Sequence, residues 1–432
     1  MTPEIVGLIC VGLLFLLMIL GVPIVYSVGF SGCVSALVLY GIHGFGKLGQ
    51  AAFHQLFNQS WVPLPLFVFL GCMVARTRLA EDLFYAAYCW LGSIRGGLVA
   101  AAIIGEGVLA AALGTSAATA IAVGKVAVPQ FEKYNYKRGF SLGAILCGGI
   151  LGPLIPPSAT FIIIGIIAQL SIAELFIAGI IPGIICALML MGTAVLLANL
   201  NPRLAPVTPK VTWREKIRAM KQVWPVLLLM TGVLGSIYFG IATPSEAAAI
   251  GCSTMIILGI ALYRIPYTVI LDAAREAAII NGMVLFIMVG AYWFTYVIGS
   301  SDISVYIEKS IIGARVSPWV IIIFINILLL FLGCILDPLT ITFLTIPIFM
   351  PLIKKLGFDP VWFAVVFAVN TQIGLITPPM GPDLFAIRTV FDVPSNEIWR
   401  GTLPFLGVLI LFLALVVAFP ELSLFLPRHM IR

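Results

Sequence analysis

The sequence predicts an all-α polytopic membrane protein built from two inverted-topology repeats, each with a re-entrant helical hairpin and a broken helix. Three observations carry that prediction. The chain is 61% hydrophobic and only 10% charged, with a mean hydropathy of +1.15, whereas soluble domains carry about 25% charged residues. Apolar runs of about twenty residues, the length that crosses a bilayer as a helix, recur from end to end. The order of these runs also repeats at a register shift of 222 residues.

Each element follows from its own run. In the first half, spans fall at 4–20, 22–42 and 61–75, followed by an amphipathic stretch at 76–90. Two apolar helices, 96–113 and 116–131, are joined by "LGTSAA" and form the first hairpin. An interrupted helix then covers 139–169 and a continuous one 172–199. Residues 201–222, "NPRLAPVTPKVTWREKIRAMKQ", carry six cations against one acid, Glu215, which places this linker in the cytoplasm. The second half repeats the order. Spans lie at 223–241, 245–263 and 279–298, an amphipathic stretch at 301–313 and a hairpin at 317–335 and 338–353. An interrupted helix at 361–391 and a last span at 400–426 complete it. Residues 1–200 and 223–432 are thus the two repeats. The alternation of short segments that marks a transmembrane barrel is absent. The N-terminus lacks a basic n-region and a cleavage site, and reads as the first span.

With no gap, the 222-residue shift lays Pro129 on Pro351, Gly152 on Gly374, and Pro156–Pro157 on Pro378–Pro379. It also lays Gly179 on Gly401, Pro182 on Pro404, and Gly29 on Gly251. These are positions where backbone geometry is most constrained, which is how transporter-type internal repeats show themselves. If each hairpin enters and leaves on one side, each half crosses five times, and the odd number inverts the second half. Arg76, Arg78, Arg95, Lys133, Lys137 and Arg138 then lie inside, Lys354 and Lys355 lie outside against the charge rule, and both termini are periplasmic.

Two helix breaks carry the chemistry. In "LGPLIPPSATF" (151–161) the prolines remove backbone donors inside lipid, where freed groups need a protein partner or a polar cavity. The carbonyls from Gly152 and Pro153 to Ile155 are candidate cation ligands. Ser158 is a good N-cap for the following half-helix, whose positive end suits a carboxylate. "GLITPPMGPD" (374–383) repeats the device, with Gly374 and Thr377 as candidates. The competing account is a proline kink that serves packing alone.

The hairpin tips supply the remaining oxygens. "LGTSAATA" offers Gly114, Thr115, Ser116 and Thr119; "ILDPLTIT" offers Asp337, Thr340 and Thr342. Asp337 lies between strongly apolar runs, where a lone carboxylate needs a cation, a dipole or a partner; a helix cap and an ion role both stand open. Hydroxyl, carbonyl and carboxylate oxygens suit a hard cation, and no nitrogen or sulfur cluster suggests a transition metal. Substrate contacts are expected from Thr115, Ser116, Ser158, Thr340 and Thr377. Sodium contacts are expected from Gly114, Ser116, Gly152, Pro153, Asp337, Thr340, Gly374 and Thr377.

Other polar residues have simpler expectations. Glu106 pairs with a neighbour or faces a subunit interface. Asn370, Thr371 and Gln372 support the second break. Lys125 snorkels; Arg388 snorkels or meets an anion. Thr243 and Glu246 form a capping box behind Pro244. The eight cysteines sit in apolar surroundings without a Cys-x-x-Cys, and three scattered histidines form no metal cluster. The net charge of +6 sits between spans and implies lipid contact rather than nucleic acid. No phosphate-binding loop, nucleophile elbow or zinc-protease motif occurs, so an ATPase or hydrolase is not expected.

The two tips, the two Pro-Pro breaks, "GIATPSEAAAIG" (240–251) and "IWRGTLPFLGVLILFLALVVAFPELSLFLP" (398–427) together resemble the large, DctM-like membrane subunit of tripartite ATP-independent periplasmic (TRAP) transporters. The resemblance runs over almost the whole chain. It implies an elevator-type transport domain on a fixed scaffold in the bacterial inner membrane, and no enzymatic activity. It implies sodium-coupled uptake of a small organic acid, such as a C4-dicarboxylate, with sodium as coupling ion and no other cofactor. It implies two partners, a separate small four-helix membrane subunit (DctQ-like) and a soluble periplasmic binding protein (DctP-like). Sodium is expected where each tip meets its break, and the substrate carboxylate between the tips. A one-component sodium–carboxylate carrier and a transporter-like receptor remain alternatives. "PPMGPD", with Pro382 and Asp383, departs from the pattern and bears on substrate preference.

Overall fold

The computed structural model describes residues 3–113, 116–301, 316–378 and 381–430, and all regular structure among them is helical. The first half contains α1 (Pro3–Ile19), α2 (Ile24–Tyr40), α3 (His43–Leu56), α4 (Pro63–Val74) and α5 (Leu79–Leu91). It continues with α6 (Gly97–Leu113), α7 (Ser116–Lys133), α8 (Arg138–Gly148), α9 (Leu151–Leu154), α10 (Ala159–Ala168) and α11 (Ile172–Leu200). A linker helix, α12 (Trp213–Gln222), follows. The second half contains α13 (Trp224–Tyr238), α14 (Pro244–Ala261), α15 (Tyr267–Ser300), α16 (Pro318–Gly333), α17 (Pro338–Lys355), α18 (Pro360–Ile376), α19 (Pro382–Phe391), α20 (Ser395–Ala418) and α21 (Glu421–Arg428). Among the described residues five helices are each long and apolar enough to cross a membrane: α11, α14, α15, α17 and α20.

Local chemistry sets the helix starts. α17 and α18 both open on Asp-Pro, with Asp337 and Asp359 as caps and a proline at the first helical position, where no amide is needed. Thr212 with Glu215, and Thr243 with Glu246, form full capping boxes at α12 and α14. The role expected for Glu246 is therefore met, with its carboxylate accepting from the Thr243 amide at 2.8 Å.

The element boundaries recur at the sequence register. Adding 222 to Ser116 and Lys133, the ends of α7, gives Pro338 and Lys355, the ends of α17. The same shift carries Arg138–Leu154 onto 360–376, the span of α18, and sets α10 within one residue of α19. The halves then interlock. α2 packs on α15 and α14 on α4. Likewise α10 packs on the second hairpin's α17, and α19 on the first hairpin's α7. α8 packs closely along α20, where Gly143 meets Gly401 with no room for a Cβ on either backbone. Small residues permit this approach in a membrane, where helices gain from contact rather than from leaving water.

The structure corrects the expected elements in three places. Residues 43–56, left between two expected spans, form α3, whose His43, Lys47, Gln50, His54 and Gln55 break up the apolar run and kept it from reading as a span. Its counterpart is not separate: α15 runs for 34 residues, far beyond 279–298. In the first half Pro63 and Pro65 force a restart after an Asn58-capped turn; the matching positions, Leu285 and Ile287, let α15 continue. The last span, expected at 400–426, ends at Ala418 because Pro420 disfavours helix at Phe419. The amphipathic stretch at 301–313 lies, beyond Ser301, outside the described residues.

Candidate functional site

The first break bends the helix by 41° between α9 and α10. Pro156 and Pro157 have no N–H, so the carbonyls of Gly152 and Pro153 lose their partners four residues on. Ser158 closes the gap. Its hydroxyl donates to the Pro153 carbonyl at 2.6 Å and accepts from the Phe161 amide at 3.3 Å, capping α10. Ser158 is fully buried, as are Gly152 and Pro153, and the Leu154 carbonyl packs against Gly179 of α11. The substrate contact expected of Ser158 is therefore not what this geometry provides. Its hydroxyl is committed to the backbone, and with it one of the carbonyls expected to face a cation.

The second break is looser. The Thr377 amide donates to the Gly374 carbonyl at 2.9 Å, and its hydroxyl donates to the Ile373 carbonyl at 2.6 Å. Thr377 is half-buried and Pro378 exposed; Pro379 and Met380 lie outside the described residues. Gly374 sits directly on Gly333 of α16, so hairpin 2 contacts its own break backbone to backbone. α19 then starts from Gly381, whose φ of 44° suits glycine, with Asp383 in its first turn.

Ser116 joins these parts. Gly114 and Thr115, the rest of the first tip's candidates, lie outside the described residues. Ser116 opens α7, is buried, and its carbonyl lies against Gly149, just ahead of the first break. Its hydroxyl donates to Asp383 Oδ2 across 267 residues of sequence. Hairpin 1 thus touches its own broken helix and, through Asp383, the other one. At the second tip Asp337 caps α17. It accepts from the Thr340 amide at 3.0 Å and from the buried Thr340 hydroxyl at 2.5 Å. The cap is real, and a carboxylate with two further acceptor positions retains capacity for an ion. Thr342 donates to the Pro338 carbonyl at 2.6 Å, within its own helix.

Asp383 also revises the anion expectation. The positive end of the second half-helix faces a carboxylate, but that carboxylate is the protein's own. The first half-helix start is sealed by Ser158. Asp383 did not figure among the expected site residues; the signal was an acid two residues past Gly381 in a segment otherwise without charge.

The neighbouring polar residues behave unlike their expectations. Glu106 on α6 is fully buried against Gly148, and among the described residues neither carboxylate oxygen has a partner, so it meets neither expectation there. Asn370 donates to the Asn326 carbonyl at 2.9 Å and its side-chain oxygen at 2.7 Å, tying α18 to α16. Thr371 bonds its own helix, and among the described residues Gln372 has no partner and none of the three bonds the break. Gly148 and Asn370 differ by 222, so each half places one polar contact at the same level, four residues ahead of Gly152 or Gly374.

Comparison with known proteins agrees with this architecture. Residues 11–422 match the family described as "Tripartite ATP-independent periplasmic transporter, DctM component". The chain is 34% identical over 403 residues to the C4-dicarboxylate TRAP transporter large permease protein DctM of Pseudomonas aeruginosa, covering 93% of this chain and 94% of that one. It is 31% identical to the ectoine/5-hydroxyectoine TRAP transporter large permease protein UehC of Ruegeria pomeroyi, covering 96% of each. It is 29% identical to the sialic acid TRAP transporter permease protein SiaT of Haemophilus influenzae, covering 96% of this chain but 67% of that protein. Among solved structures, the Alcanivorax borkumensis YdaH transporter superposes with a TM-score of 0.61 at 15% identity, over 89% of this chain and 90% of that one, a likeness of fold. The chain therefore belongs to the tripartite ATP-independent periplasmic transporter family as a DctM component, a multi-pass inner-membrane transport protein and not an enzyme.

Proposed function

We propose that the chain carries a small organic acid into the cell, driven by sodium, with Ser116 and Asp383 holding one coupling ion. The observation that carries this reading is the Ser116–Asp383 hydrogen bond, which joins the first tip to the second break. A carboxylate with hydroxyl and backbone oxygens around it is a donor set for a hard monovalent cation. A charged group inside a membrane protein is a functional site by default. Asp337 and Thr340 form the second oxygen cluster, at the other tip. The substrate lies between the tips, held away from Asp383 by like charge unless a cation intervenes.

The two halves are inverted repeats, 1–200 and 223–432, joined by the cytoplasmic linker. The hairpins and broken helices (α6–α10 and α16–α19) move as an elevator against α1–α4 and α13–α15. A cavity of about 170 Å³ bounded by α10, α15 and α17 supports this division, since it lies on the boundary between the moving and fixed parts. The partners are a small membrane subunit and a periplasmic binding protein. The third of SiaT that this chain does not cover leaves room for such a subunit in fused form. The relatives named for dicarboxylate, ectoine and sialic acid leave the particular acid open, and the binding protein selects it.

Uptake in proteoliposomes with both partners tests this. Collapsing the sodium gradient is expected to cut uptake at least about tenfold, a difference of about 1.4 kcal/mol in driving force. Uptake that ignores sodium but follows another ion overturns the coupling.

A further inference from the structure

The linker helix α12 presents two parallel rows to the outside. Trp213, Ile217 and Met220 of α12, followed by Trp224 at the start of α13, are 69%, 55%, 45% and 47% exposed. One position on, Arg214, Arg218 and Lys221 form an exposed cationic row. The side next to this row is fixed: Ala219 is buried where α12 packs on α5, and one edge of the otherwise exposed Trp213 meets Trp90 at 5.8 Å. Lys216 lies over both rings at 5.5 and 5.2 Å, so it belongs to that joint and not to the free row. α12 bends by 44° into α13, and the apolar row continues into the exposed Leu227 and Leu228 of that helix. The row thus lies at the level where a membrane span meets water.

The three cations are unspent. Among the described residues no carboxylate pairs with them, and the nearby acid, Glu215, is engaged with Thr212 at 2.7 Å in the capping box. They line an open cleft of about 660 Å³ together with Glu215 and Ile217. We infer that this cleft binds the headgroup of an anionic phospholipid of the cytoplasmic leaflet. Arg214, Arg218 and Lys221 take the phosphate, and the Ile217–Met220–Trp224 row lies among the upper acyl carbons. Charge complementarity argues for an anionic lipid. The adjoining apolar row argues for a lipid over a soluble anion, because it has no use for one. The lipid would tie the connection between the two halves to the membrane surface.

The test is native mass spectrometry of the full-length chain in detergent, with phosphatidylglycerol and phosphatidylcholine of matched acyl chains. Wild type is expected to retain phosphatidylglycerol preferentially. The triple variant R214Q/R218Q/K221Q should retain about a hundredfold less, from about fivefold per cation near a surface. Lys216→Gln, at the α5 joint and outside the cleft, should leave retention unchanged. If the triple variant does not fold, the three single variants are read, each with its fivefold drop. Equal retention of the two lipids, or a triple variant that retains as wild type does, overturns the inference. Glycerol phosphate displacing the lipid at equal concentration overturns the lipid assignment in favour of a soluble anion.

Discussion

The two breaks share a register and a proline pair, yet they are finished differently. At the first, Ser158 bridges the gap from inside, and Gly152–Leu154, Pro156 and Pro157 are buried with it. At the second, Thr377 is half-buried, Pro378 is exposed, and Asp383 reaches across to the opposite hairpin. The same backbone device therefore serves as a sealed bend in one half and as a joint in the other. Equivalence of backbone does not imply equivalence of role; the side chains that follow the prolines, Ser158 directly and Asp383 four residues on, decide it.

Substitutions can break or sharpen that contrast. The largest effect is expected from Gly374→Ala, because its Cβ would strike the Gly333 backbone, which cannot yield as a flexible side chain would. Overpacking of this kind costs about 3 kcal/mol, and thermal unfolding in detergent reads it. A Tm equal to wild type would mean the second hairpin is not seated on its break. Ser158→Ala follows. It leaves the Pro153 carbonyl buried and unpaired and uncaps α10, for about 2–3 kcal/mol. Thr377→Val at the other break should cost less, about 1 kcal/mol, since the half-buried hydroxyl makes one hydrogen bond and caps no helix. Equal losses at the two sites would erase the difference between a sealed and an open break.

The polar contacts ahead of the breaks offer a smaller test. Gly148→Ala should destabilise by about 1–2 kcal/mol through contact with Glu106, and adding Glu106→Ala should restore most of it. Asn370→Ala should cost about 1 kcal/mol with no such rescue, because the Asn326 pair is simply lost. A double variant no more stable than Gly148→Ala alone would place Glu106 elsewhere.

Much of the fold was legible because glycine and proline are costly in lipid and so record backbone geometry. Pro129 and Pro351, or Gly152 and Gly374, retain a 222-residue register that the helix boundaries then follow. α3 was not legible, because its charge-poor but mixed face resembles neither a span nor a loop. At the site, Ser116, Asp337 and Thr340 were legible as oxygens in apolar surroundings. Asp383 was legible only as a departure from the family pattern, because its contact with Ser116 is one that no local pattern encodes. Ser158 was legible as a cap, while its bond back to Pro153 needed the geometry of the bend.

The most direct test of the account is a sodium titration of uptake by the reconstituted complex carrying Asp383→Asn, beside Ser116→Ala and wild type. Loss of a charged hydrogen-bonding ligand is worth about 1.5–3 kcal/mol, so the half-saturating sodium concentration should rise about tenfold or more in Asp383→Asn. Ser116→Ala should shift it in the same direction and by less. A sodium titration for Asp383→Asn that overlays wild type, in protein that still inserts and transports, would contradict the assignment of the ion to the place where the first tip meets the second break.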